Sequence, residues 1–108
     1  MKEQIFYLTI THINDYSGSF TFRPGQRMIL QKDHENPYDD EAIAVYTEGR
    51  QKCGYVANSV GTVARGTCSA GRAYDRLPEQ SMCIIRFVLE ECMIAETAEE
   101  MPQAQEAA

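Results

Sequence analysis

Apolar and polar positions alternate with period two along most of the chain, the mark of strands that bury one face. Between Gln4 and Ile13, Phe6, Leu8 and Ile10 fall on one side and Ile5, Tyr7 and Thr9 on the other. This β-branched and aromatic run suits a strand lodged in a barrel. Further strands are predicted over residues 19–22, 28–31, 42–47, 52–57 and 82–89, the last with Cys83, Ile85 and Phe87 on one side and Ile84, Arg86 and Val88 on the other. Turn chemistry separates them. Residues 14–18 read as a turn, Arg23-Pro24-Gly25-Gln26 suits a type II turn, and Glu48-Gly49-Arg50-Gln51 a hairpin. Ser59 is a good N-cap and opens a short helix candidate through Val60, Val63 and Ala64 to about Gly66. Residues 71–79 read as polar and irregular, and from Thr97 onward the Glu-Ala-Gln composition has nothing to bury. The pattern predicts a mainly β fold: a small OB-like or SH3-like barrel of about six strands with one or two short helices, over residues 1–95, and an acidic, disordered tail over 96–108.

A length of 108 residues supports one domain with one modest core and leaves no room for a separate cofactor domain. No apolar run approaches a bilayer span, and no secretory leader is visible behind Met1, so a cytoplasmic protein without membrane contact is expected. The net charge of −6 is unevenly spread. Six acidic residues and no Lys or Arg lie from Glu90 onward, whereas residues 1–89 hold ten Lys and Arg against ten Asp and Glu. A neutral body with an acidic end does not suit broad cationic binding of duplex DNA. Any nucleic-acid contact is therefore expected to be compact, using stacking and hydrogen bonds as much as charge. Cys53, Cys68, Cys83 and Cys92 contain no CxxC pair, and neither His12 nor His34 lies at ligand spacing from a cysteine. They are read as reduced, mostly buried thiols; no metal and no cofactor is assigned.

The segment most informative about function runs from Leu30 to Val45, through Gln31-Lys32-Asp33-His34-Glu35-Asn36-Pro37-Tyr38-Asp39-Asp40-Glu41-Ala42-Ile43-Ala44, and is followed after a hairpin by Gly54-Tyr55-Val56. This spaced pattern resembles the signature of the HIRAN domain family, in which N-P-Y/H-D leads into x-x-A-I-x-V and then G-Y/H-hydrophobic. The resemblance extends more weakly over residues 5–90. It implies an OB-like barrel, a module found at the front of Swi/Snf-type helicases and as stand-alone bacterial proteins. In the helicase setting that module captures the 3′-hydroxyl end of single-stranded DNA. The expected partners are single-stranded DNA or DNA ends, damaged DNA, and a helicase or other repair protein.

The same residues are consistent with that role on chemical grounds. The Asn36-Pro37 pair stiffens the loop and displays Tyr38, which can stack a nucleobase without reading its sequence. Asp39 would repel phosphate and therefore suits a hydroxyl or a base edge. Asn36 offers a donor and an acceptor, and Tyr55 a second aromatic wall or a hydroxyl donor. Lys32, Lys52 and Arg50 lie near the motif and are candidates for phosphate contacts. Each of these residues also has a purely structural reading: Asn36 and Asp39 as caps of their own turn, the tyrosines as packing groups, the cations as solvated charge. Two departures weaken the phosphate grip that the resemblance implies: Asn14-Asp15 stand where end-binding members carry Arg-Tyr, and Asn58 where a basic residue is expected. There is no nucleophile elbow, phosphate loop or HExxH site, and three consecutive carboxylates at Asp39-Asp40-Glu41 cannot all face one metal ion, so no catalysis is expected. The alternative is a peptide-binding module that uses the same groove.

Overall fold

A computed structural model describes residues 5–14, 21–59 and 61–98. Six strands, β1 (Tyr7–Thr11), β2 (Arg27–Lys32), β3 (Ile43–Thr47), β4 (Lys52–Val56), β5 (Gln80–Val88) and β6 (Met93–Ala98), close into a barrel in the order β1-β4-β3-β2-β5-β6. Every neighbouring pair is antiparallel. Closure leaves the sheet without a free edge, which suits a small all-β domain. The interior is filled by the inward residues of each strand, among them Leu8, Ile10, Met28, Leu30, Val45, Ile85 and Met93, all essentially inaccessible. Cys53 and Cys83 also point into this core, where burial pushes their thiols up to about 11 and about 12. Both therefore act as small packing groups and not as nucleophiles. No helix among the described residues is long and apolar enough to cross a membrane.

The mainly β barrel of six strands agrees with the sequence pattern, but two elements do not. The strand expected over 19–22 does not form at Thr21 and Phe22, and residues 19 and 20 lie outside the described residues. The sixth strand is instead β6, where Met93, Ala95 and Thr97 turn inward and Ile94, Glu96 and Ala98 outward. The barrel therefore continues through residue 98, past the boundary expected at 95, while residues 99–108 lie outside the described residues.

The helix is also displaced. From Ser59 onward the chain makes a single turn, with Thr62 and Val63 both donating to the Ser59 carbonyl and the Ser59 and Thr62 hydroxyls 2.9 Å apart; Val60 lies outside the described residues. The α-helix, α1 (Ala70–Tyr74), falls in the stretch read as irregular. Ser69 caps it by accepting from the Arg72 N–H, and Ala70 and Ala73 pack into the core.

Candidate nucleic-acid interface

Strand β1 separates from the barrel wall just past its pairing with β4, and this divergence opens a cleft. Ile10 lies opposite Val56 and Thr11 opposite Tyr55, after which His12 adopts φ 64° and turns the chain away. Left-handed backbone at a non-glycine residue is uncommon and tends to accompany functional surfaces. The close pairing depends on Gly54, where a Cβ would lie 2.7 Å from the Thr11 carbonyl oxygen.

The opposite wall is the loop between β2 and β3, which is held by its own side chains. Asn36 Oδ1 accepts from the N–H groups of Tyr38 (2.8 Å) and Asp39 (3.0 Å), Asp33 Oδ1 from Glu35 N–H (3.2 Å), and Asp39 Oδ1 from Glu41 N–H (2.9 Å). Such short-range bonds from Asn and Asp to following N–H groups fix a turn without help from the rest of the fold. The Tyr38 ring then projects into solvent with 94% of its surface exposed. Asp39 is tied across the cleft floor as well: Asn58 Nδ2 donates to its Oδ2 at 3.0 Å, and Asn58 Oδ1 accepts from the Gly71 N–H at the start of α1. Asn58 thus links loop, strand end and helix. A carboxylate oxygen accepts more than one hydrogen bond, so Asp39 retains acceptor capacity toward the cleft.

The cleft enclosed by these elements has a volume of ≈ 390 Å³, and Asn36, Tyr38, Asp39 and Tyr55 all line it. Four of the seven residues singled out from the sequence therefore meet in one place. Thr11, His12, Asn58 and Thr62 also line the cleft, and the sequence marked none of them as a contact residue. Lys32 and Lys52 are not among the walls. The Lys32 ammonium sits 4.3 Å from the centre of the Tyr74 ring, and Lys52 Nζ is 3.0 Å from the Tyr55 hydroxyl. No Lys or Arg is found among the described residues lining the cleft. Arg50 occupies the hairpin turn at φ 72°. Of the Asn14-Asp15 pair, Asn14 is exposed at the end of the β1 turn, while Asp15 lies outside the described residues.

Tyr55 contributes its ring to the cleft, while its hydroxyl donates to Asp33 Oδ2 at 2.6 Å. That bond is the main reason the Asp33 carboxyl titrates below the ordinary 3.8, outweighing partial desolvation, with the Glu35 N–H and the Lys52 charge adding to it. Because the folded pKa is depressed, Asp33 contributes stability that is complete above the unfolded value and is lost as pH falls through the folded value. Tyr55→Phe should therefore leave thermal stability less dependent on pH below about pH 4 than in wild type. Melting temperatures measured from pH 6 down to pH 2 check this; parallel acid limbs in the two proteins would contradict it.

No cluster of His, Cys, Asp and Glu among the described residues has the arrangement of a metal site. The cleft thus presents two tyrosine rings, the His12 imidazole, amides, hydroxyls and one carboxylate. These groups can stack a planar ring and accept hydrogen bonds from hydroxyl or amino groups.

The sequence profile of the HIRAN domain matches residues 4–101. Among solved structures, the crystal structure of the HIRAN domain of human HLTF superposes with a TM-score of 0.63 at 19% sequence identity, covering 93% of this chain and 81% of that one. At that identity the likeness concerns the barrel alone. No curated protein sequence matches the chain.

Proposed function

The chain belongs to the HIRAN domain family, whose members are nucleic-acid-binding modules, and from this we propose that its cleft captures the end of single-stranded DNA at a free 3′-hydroxyl. The observation that carries the reading is the convergence of Tyr38, Tyr55 and Asp39 on one cleft among whose described walls there is no Lys or Arg. Tyr38 stacks the terminal base, the Tyr55 ring forms the facing wall, and Asp39 accepts from the terminal hydroxyl. A carboxylate repels phosphate, so the arrangement favours a strand terminus, where a sugar hydroxyl is free of phosphate. The domain holds the end without altering it. It acts in the cytoplasm beside a helicase or other repair protein, also at damaged sites that expose an end.

Competition distinguishes an end reader from a general strand binder. A labelled linear oligonucleotide bound by the protein should be displaced by unlabelled linear strands and not by a circular single strand of the same composition. Equal displacement by the circle would sink the end-binding reading.

A second reading has one observation in its favour. Phe87, Val88 and Leu89 are three consecutive exposed apolar residues at the end of β5, where a bulge between Ile85 and Phe87 turns Phe87 outward. A protein partner on that ridge is compatible with DNA in the cleft. Phe87→Ser should then leave oligonucleotide affinity unchanged, and a weakened affinity would tie the ridge to DNA instead.

A further inference from the structure

The cleft shares a wall with a neighbouring hollow. Thr11 and His12 line both; the second hollow, ≈ 320 Å³, is completed by Ile13, Asn14 and Glu91. Its position follows from the turn at His12, which carries the chain over the rim, and from a bond between Asn14 Nδ2 and the Glu90 carbonyl (3.4 Å) that fastens the β5–β6 turn against the end of β1. That contact sets Glu91 at the wall. The chemistry of this hollow differs from that of a phosphate site. Its described walls carry no Lys or Arg, and they offer the Glu91 carboxylate and the Asn14 side-chain carbonyl as acceptors.

A strand whose last nucleotide fills the cleft can place its next nucleotide across His12 in this hollow. We infer that the hollow receives the penultimate base and prefers one with an exocyclic amino group, cytosine over uracil or thymine, with Glu91 accepting from the cytosine N4 amine. At the same position uracil presents a carbonyl, which would face a carboxylate with no proton between them. Glu91 is thus the specificity-determining residue of the second hollow, while Tyr38 and Asp39 hold the end whatever its sequence. The inference rests on the end-binding reading and adds sequence preference to it.

The test uses two oligonucleotides with free 3′-hydroxyls that are identical except for dC or dU at the penultimate position, titrated by fluorescence anisotropy against wild type and Glu91→Gln. A hydrogen bond to an exposed charged acceptor predicts roughly threefold to tenfold tighter binding of the dC strand by wild type. In Glu91→Gln, whose amide can serve either base, the preference should fall below about twofold with the melting temperature unchanged. Equal affinity of wild type for both strands overturns the inference and leaves end binding standing, as does a dC preference that persists in Glu91→Gln. Failure of wild type to bind either strand overturns both.

Discussion

Tyr38→Ala is expected to lose between about fivefold and a hundredfold in affinity for single-stranded DNA, the equivalent of one base–aromatic stack of about 1–3 kcal/mol. The same substitution should leave the melting temperature within about a degree of wild type, because a side chain that is 94% exposed contributes almost nothing to the core. This separation of effects is unusual for a large aromatic residue and follows from how the loop is built. The bonds from Asn36 to the Tyr38 and Asp39 N–H groups use the backbone of residue 38 and not its ring, so the loop keeps its shape when the ring is removed. Anisotropy titration and thermal unfolding of the same preparation test both halves. A variant that melts many degrees lower would show that the ring supports the fold, and one that binds as wild type would remove Tyr38 from the interface.

Gly54→Ala should give the opposite result, a large loss of stability from the smallest change in side chain. The added methyl would sit 2.7 Å from the Thr11 carbonyl oxygen and 3.1 Å from Ile10 Cγ2. Its nearest obstacle is backbone, which cannot rotate away, so β1 and β4 must move apart. Overpacking of this kind costs about 1–3 kcal/mol, and each kcal/mol lowers the melting temperature of a domain this size by roughly 4–8 °C. Binding should weaken as well, since the Thr11–Tyr55 register next to Gly54 sets the spacing of the cleft walls. A melting temperature within a degree or two of wild type would contradict the close approach.

These two residues also illustrate what could be read from the sequence and what could not. The loop at 36–39 was legible because its determinants are local: proline fixes one dihedral, and Asn36 bonds to N–H groups two and three residues ahead. Gly54 and Tyr55 stood out through the spaced motif. By contrast, Thr11 and His12 reach the cleft only because β1 pairs with β4, and Asn58 only because it bridges Asp39 and Gly71, contacts between segments far apart in sequence. Lys32 and Lys52 were near the motif along the chain, yet each lies over a tyrosine ring, Tyr74 and Tyr55 respectively.

The misread elements have similar causes. Ser59 and Ser69 are equally good caps in isolation, and each is followed two residues on by a glycine, Gly61 and Gly71, so local propensity does not separate them; what does is burial, since Ala70 and Ala73 after Ser69 pack into the core. Strand β6 alternates as a strand should, yet Ala95, Glu96 and Ala98 are weak strand formers, and only pairing with both β1 and β5 holds them extended. At Phe87 the alternation itself failed, because the bulge after Ile85 shifts the register and turns outward a side chain that period two had grouped with Cys83 and Ile85, both of which are buried.

If the cleft recognises a free 3′-hydroxyl through Asp39, two oligonucleotides differing only in that group must bind unequally. Wild-type protein titrated with a short single strand ending in a 3′-hydroxyl should bind at least tenfold more tightly than to the same strand ending in a 3′-phosphate, since the blocked end replaces a donor with charge that the carboxylate repels. Equal affinity for the two strands would mean that the cleft does not read the end.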